Sequence, residues 1–228
     1  MQSPQIASRR FTLLELLMVI CVILILLSLF AGVAKGLKKS REVRCLSNLK
    51  QISVATMLYL SNNKTQYPGF LSSIDEQQGR IWMGKKGNSE PMWDINVTER
   101  PLNVYMGYTR DNIETPGVKC PFNNYALDAY NKVGSTYAGN AYSQWDGLKS
   151  KRISQVKSPS TAALATEHGA YAVLTNQISN YWRMTHDPKK LLYPVVRVDG
   201  SSILHLLAPG EGITTPSKTV NFNLSLEP

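Results

Sequence analysis

The sequence predicts an α+β fold in which one long N-terminal helix packs on an antiparallel β-sheet. Residues 11–34 are almost wholly apolar, and residues 35–62 continue with apolar side chains at helical spacing. No proline occurs between Arg10 and Pro68, so nothing in this stretch breaks a helix. Short runs rich in β-branched and aromatic residues follow, separated by turn residues. We therefore expect one helix from about residue 11 to about residue 61, followed by a strand-rich domain.

Six runs beyond Pro68 are candidate strands. They are Leu102–Tyr108, Ala162–Thr166, Ala170–Leu174, Leu191–Val198, Ser202–Leu207 and Thr219–Leu226. Asp199 and Gly200 separate the fourth run from the fifth, and Asp-Gly between two such runs is a strong signal for a β-hairpin. The last run alternates apolar and polar residues, which is typical of a half-buried antiparallel strand.

The composition leaves several classes of partner open. The chain has 228 residues and a formal net charge of +9, with a pI near 9.5. A basic chain suits nucleic acid, anionic lipid or an acidic protein surface. Nucleic acid is disfavoured because no basic groove with interleaved aromatic residues is visible. Three cysteines are too few for a disulfide framework.

The apolar run at residues 11–34 predicts a single-pass transmembrane helix. At 1.5 Å per residue it would cover roughly 36 Å, enough to cross a hydrocarbon layer of about 30 Å. The run is too long for a secretory signal peptide and is not closed by a convincing cleavage site. Its single charge is Glu15, and an ionisable residue in a membrane helix is a candidate for a functional role. The alternative is a carboxylate that merely lies at headgroup level.

The segment Arg9-Arg10-Phe11-Thr12-Leu13-Leu14-Glu15-Leu16-Leu17 resembles the N-terminal signature of type IV pilins and type II secretion pseudopilins. The resemblance implies that residues 1–10 are a prepilin leader, cut between Arg10 and Phe11 by a membrane peptidase that then methylates the Phe11 amine. Arg10 stands where the family usually has glycine. The resemblance also implies that Glu15 pairs with the freed amine of a neighbouring subunit during filament assembly, because opposite charges attract strongly in a low dielectric.

The same resemblance implies a structural subunit rather than an enzyme. Its partners would be other pilin or pseudopilin subunits, the prepilin peptidase, an inner-membrane assembly platform and the lipid bilayer. The N-terminus would be cytoplasmic, and residues 63–228 would form a pilin-like domain in the periplasm or outside the cell. The basic residues that follow the apolar run would by themselves favour the opposite orientation. A receptor or adhesin that uses the same anchor without polymerising is the alternative function.

A second, narrower resemblance joins both ends of the chain. Cys45-Leu46-Ser47-Asn48-Leu49-Lys50-Gln51-Ile52 is similar to a segment of large pilin-like proteins of planctomycete and lentisphaere type, which carry a C-terminal His-x9-Asp-Gly motif. The segments around Cys120-Pro121, Ser135–Asn140 and Ser158–Glu167 resemble other parts of that family. Cys45 and Cys120 match family cysteines, and a disulfide between them is a hypothesis that the resemblance implies. In this chain twelve residues, not nine, separate His186 from Asp199-Gly200.

The chemistry-bearing residues do not form a recognisable catalytic motif. The sequence contains no nucleophile elbow, no glycine-rich phosphate loop and no His-Glu-x-x-His. We expect His186, Asp199 and Gly200 to belong to the hairpin region, with Asp199 and Gly200 forming its turn. The alternative is a metal site from His186, Asp199 and Glu167, whose spacing matches no standard ligand pattern. The sequence therefore predicts no cofactor and no metal.

Overall fold

The computed structural model describes residues 12–69, 80–88, 94–111, 113–122, 124–141, 146–175, 186, 190–213 and 218–226. The predictions for Arg10 and Phe11 lie outside these residues. The chain divides into two compact units, Met1–Ser40 and Arg41–Pro228. The structure is α+β with a four-stranded antiparallel sheet, as the sequence predicts.

Helix α1 runs from Leu13 to Asn62 and is 50 residues long. Its start is a capping box: the Thr12 amide donates to Glu15 Oε2 over 2.8 Å, and the Glu15 amide donates to Thr12 Oγ1 over 3.3 Å. It ends where Lys64 and Thr65 adopt positive φ angles of 52° and 60°, and the Thr65 amide closes back on the Leu60 carbonyl. The extent of α1 agrees closely with the helix predicted from about residue 11 to about residue 61.

The first part of α1 carries apolar side chains that the first unit leaves exposed. Every large apolar residue described from Leu13 to Leu29, and Val33, is between 46% and 86% exposed. Within the described part of the chain, no helix combines the length and the apolarity that crossing a bilayer would demand.

The sheet belongs to the second unit and has the strand order β1-β2-β3-β4, with every pair antiparallel. Its strands are β1 Tyr137–Gly139, β2 Ala163–Glu167, β3 Leu192–Arg197 and β4 Ser202–Leu206. All five residues of β2 are buried, because β2 lies in the middle of the sheet with cover on both faces. The second unit also holds helices α2 Asn124–Val133 and α3 His168–Leu174.

The turn between β3 and β4 is built by the Asp-Gly dipeptide. Gly200 has φ +83°, a left-handed conformation that glycine adopts without steric cost. The Asp199 carboxylate accepts hydrogen bonds from the Ser201 amide at 2.8 Å and from the Ser201 hydroxyl at 2.6 Å. These bonds hold Asp199 at the tip of the hairpin.

Three of the six strand predictions are wrong. Leu102–Tyr108 contains a 3₁₀ helix at Asn103–Met106, which ends at Gly107 with φ +75°. Ala170–Leu174 lies inside α3; a short apolar run buried on all sides fits a helix as well as a strand. Thr219–Leu226 forms one bridge, between Ala162 and Asn221, and then a 3₁₀ helix.

Side-chain hydrogen bonds explain why Thr219–Leu226 does not form the predicted strand. The Asn221 side chain accepts from the Asn223 amide, and the Asn223 side chain accepts from the Ser225 amide, each over 3.1 Å. Such local bonds compete with a sheet ladder for the backbone. Strand β1 was not predicted, since three residues are too few to show an alternation.

The second part of α1 supplies one wall of the main core. Its buried residues at helical spacing are Cys45, Leu49, Ile52, Ala55 and Leu60. They belong to one apolar cluster with sheet residues that include Leu164 on β2 and Val196 on β3. Burial of this stripe holds the helix on the sheet, because apolar area removed from water is the main stabilising term.

We predict that Leu49→Ala lowers the free energy of unfolding by about 2–5 kcal/mol, because Leu49 is fully buried and its loss leaves a cavity. Leu58→Ala is the matched control on the same helix. Leu58 is 47% exposed, so its change should stay within about 0.5 kcal/mol. Urea unfolding followed by tryptophan fluorescence measures both. Equal effects would contradict the packing of α1 described above.

Candidate functional site

Four ionisable side chains from distant parts of the second unit meet in the interior: Cys45, Cys120, Glu167 and His186. Their sulfur, carboxylate and ring nitrogen atoms all lie within 4.8 Å of one another. None of the four residues is more than 3% exposed. A buried cluster of this kind needs a chemical explanation, because removing ionisable groups from water is costly unless their charges are compensated.

Each member is placed by a different element. Cys45 lies one helical turn before Leu49 on the buried stripe of α1. Cys120 follows the 3₁₀ helix Pro116–Val118, and its amide donates to the Thr136 hydroxyl over 3.2 Å. Glu167 is the last residue of β2, and the His186 amide donates to the Leu192 carbonyl at the start of β3. The site therefore forms only when helix, loop and sheet are in place.

The geometry converges on one nitrogen of His186. Its Nε2 lies 2.8 Å from Glu167 Oε1 and 3.3 Å from Cys120 Sγ, and Cys120 Sγ lies 2.8 Å from Cys45 Sγ. The other ring nitrogen, Nδ1, has no hydrogen-bond partner among the described residues. The Phe122 ring stacks on the imidazole with centroids 4.1 Å apart and fixes its plane.

The electrostatics favour separated charges within the cluster. The hydrogen bond from Cys120 lowers the pKa of Cys45 to about 6, with His186 acting in the same direction and burial opposing it. Burial, and then the neighbouring Cys45, raise the pKa of Cys120. Burial lowers the pKa of His186, but Glu167 and Cys45 outweigh it and raise the value to about 10. The protein thus stabilises a Cys45 thiolate beside a His186 imidazolium.

The arrangement is unsuited to a cysteine–histidine–acid catalytic triad. Such a triad needs the nucleophile on one ring nitrogen and the acid on the other, so that the acid holds the imidazole in the tautomer that takes the proton of the nucleophile. Here Cys120 and Glu167 both contact Nε2. The sulfur is also buried, which keeps a substrate away from it. What the cluster offers is a set of four converging electron-pair donors.

The alternative metal site named Glu167, His186 and Asp199, and the structure does not bring all three together. Glu167 and His186 come together, but Asp199 lies in the β3–β4 turn and is not a member of the cluster. The two cysteines take its place. The sequence had marked all four residues separately, but no spacing signal joins positions so far apart in the chain.

Other predicted residues keep separate positions. Cys45 and Cys120 are free cysteines whose sulfurs lie in contact, and a disulfide between them stays a prediction. Glu15 belongs to the first unit, where its carboxylate accepts hydrogen bonds from the amide and hydroxyl of Thr12. Sequence reasoning missed this capping role, although Thr-x-x-Glu before an apolar run is its usual signature.

Asn48 holds the Cys120 loop against α1. It is buried, and its Nδ2 donates to the Lys119 carbonyl at 3.1 Å and lies 3.5 Å from the Tyr137 hydroxyl. Tyr137 pairs with Glu167 across β1 and β2. One amide side chain therefore ties the loop that carries Cys120 to the strand pair that carries Glu167.

We predict that Asn48→Ala destabilises the domain by about 1–3 kcal/mol, because it removes the donor to a carbonyl beside the cluster. Asn62→Ala is the control on the same helix: Asn62 donates to the Tyr105 hydroxyl in an exposed position, and its loss should stay within about 0.5 kcal/mol. Thermal and urea unfolding compare the two. A cost for Asn48→Ala no greater than that for Asn62→Ala would argue against the tether.

Comparison with protein-family models, with curated proteins and with solved structures finds no match for this chain. The resemblance to prepilin-type proteins therefore depends on the residues quoted above, and a function has to be argued from those residues and from the geometry of the two units.

Proposed function

We propose that the chain is a structural subunit of a type IV pilus-like or type II secretion-like filament, held in the inner membrane before assembly. The observation that carries the proposal is the apolar surface of α1 in the first unit. In that unit Leu13 is 86% exposed and Leu14 is 64% exposed. Exposed apolar surface on this scale marks a site of membrane or protein interaction.

This apolar surface can contact lipid before assembly and other copies of the chain after it. Lipid suits it before assembly, because acyl chains replace water around apolar side chains. Helices of neighbouring copies suit it after assembly, since the same side chains then pack against each other. A filament subunit needs both kinds of contact. Residues 13–33 of α1, called the stem from here on, are almost wholly apolar and can make both.

Glu15 would favour association of the stem with other copies of the chain. A carboxylate among apolar side chains gains from a positive partner, and the amine of a chain cut before Phe11 would supply one. In the uncut chain the capping box holds the carboxylate to Thr12. Cleavage would therefore create the positively charged Phe11 amine with which Glu15 can pair. In this scheme the N-terminus is cytoplasmic and the second unit lies outside the cytoplasm.

A membrane-anchored receptor or adhesin that does not polymerise is the second candidate. The same exposed stem favours it, because lipid alone would cover the apolar surface. The two functions differ in their demand on Glu15, which only an assembling subunit needs as an ion-pair partner.

We predict that Glu15→Gln reduces filament yield more than about tenfold. Removing one partner of a desolvated ion pair costs roughly 3–5 kcal/mol, and about 1.4 kcal/mol is a factor of ten in an equilibrium. Glutamine keeps an oxygen that can accept from Thr12, so the capping box survives. The measurement is the amount of chain in sheared filaments from a host that supplies the peptidase and assembly platform.

Thr12→Ala is the control for that experiment. It breaks the capping box at a cost of about 1 kcal/mol but leaves the charge of Glu15 in place. We expect it to assemble far better than Glu15→Gln. Wild-type filament yield from Glu15→Gln would overturn the assembly role and favour the receptor or adhesin.

We also predict that the membrane-extracted chain, made together with a prepilin peptidase, begins at a methylated Phe11. N-terminal sequencing and intact mass measure both changes. Arg10→Gly restores the residue that the family usually has and serves as the positive control. A chain that keeps residues 1–10 while the Arg10→Gly variant is processed would contradict cleavage of the natural sequence.

A further inference from the structure

We propose that Cys45, Cys120, Glu167 and His186 bind one Zn²⁺ ion, forming a structural metal site that is independent of the filament role proposed above. The four donors are two sulfurs, one imidazole nitrogen and one carboxylate oxygen. Zn²⁺ is the divalent cation that accepts all three donor types in tetrahedral sites. With four protein ligands and no exposed face, the site would be of the closed, structural kind.

The separations between the donors suit a small ion after a modest expansion. With Zn–S near 2.3 Å and Zn–N or Zn–O near 2.1 Å, the edges of a tetrahedron measure roughly 3.3–3.8 Å. The structure has 2.8 Å between the sulfurs, 3.3 Å from Cys120 Sγ to His186 Nε2 and 2.8 Å from Nε2 to Glu167 Oε1. Each of these three edges has to lengthen by about 1 Å or less to reach that range. None of the other separations between the donors exceeds 4.8 Å.

The contacts of His186 support a central ion. Nε2 carries either one proton or one lone pair, yet it faces a carboxylate oxygen and a sulfur at once. A proton satisfies one of these neighbours fully, whereas an ion placed between them takes the lone pair of Nε2 and the charges of both. Stacking on Phe122 holds the ring in the orientation that this requires.

The balance of charge also supports a dication. Two thiolates and one carboxylate carry three negative charges, so Zn²⁺ leaves a net charge of one negative. Structural zinc sites with three cysteines and one histidine carry the same net charge. Without an ion, the interior has to hold Glu167 and the two sulfurs with His186 as the one cationic side chain of the cluster.

The competing state is a disulfide between Cys45 and Cys120. It would account for the two sulfurs and leave Glu167 and His186 as a buried ion pair, with no reason for them to converge on the sulfurs. The zinc-bound state and the disulfide depend on different sets of side chains. Zinc needs all four side chains, whereas a disulfide needs only the cysteines.

The test measures metal in the full-length chain, extracted from membranes in detergent without added reductant. We expect inductively coupled plasma mass spectrometry to find one equivalent of zinc in the natural chain. Glu167→Gln, His186→Gln and Cys120→Ser should each lose most of it. Cys21→Ser and Asp199→Asn are matched controls, since they change residue types of the same kind outside the cluster, and both should retain the metal.

Two further measurements keep the proposal falsifiable if a variant fails to fold. The natural chain depleted of zinc and loaded with Co²⁺ should show the sulfur-to-cobalt charge-transfer absorption of thiolate ligation, and chelation of the ion should lower the Tm. Intact mass reports a disulfide as the loss of two hydrogen atoms. A metal-free natural chain that lacks those two hydrogens, or one that gives no cobalt–thiolate band, would overturn the proposal.

Discussion

The structure depends on the fit of one face of α1 against the sheet. That face is apolar at Leu49, Ile52 and Ala55 but begins with Cys45, which contacts ionisable groups from the rest of the domain. Apolar burial fixes the rotation of the helix, and this rotation places the Cys45 sulfur at the end of β2. The cluster is stable only if each ionised group has a partner, since neither a thiolate nor a carboxylate is stable unpaired in the interior. Packing and electrostatics thus constrain the same contact.

The two parts of α1 differ in burial, which a helix tolerates because its backbone satisfies its own hydrogen bonds whatever surrounds it. From Leu13 to Leu29 the large apolar side chains are exposed in their unit, whereas from Cys45 to Leu60 one stripe is buried. The described apolar side chains of the first part are therefore open to contact with lipid or with other chains, as the proposed function requires. The second part folds with its own domain. The function proposed for the chain follows from this difference, which no break in the helix marks.

The sequence predicted the features that have a long or a locally complete signal. Fifty residues without a proline and with helical periodicity define α1, and Asp199-Gly200 defines the β3–β4 hairpin. The prediction failed where the sequence signal was short, as for Tyr137–Gly139. It also failed where side chains accept hydrogen bonds from nearby backbone amides, as at Asn221 and Asn223. The cluster was out of reach for another reason. Cys45 and Cys120 are 75 positions apart, and His186 is a further 66 along, so only the fold brings them together.

If the cluster holds the proposed metal ion, its position would also matter mechanically in the proposed filament subunit. Cys45 lies in the first turns of α1 beyond Ser40, where the second unit begins along the chain. In the filament proposed above, force on the second unit would be carried along the chain through α1. Coordination of one ion by α1, the Cys120 loop, β2 and the segment before β3 would join these elements at a single point, where the load enters the domain.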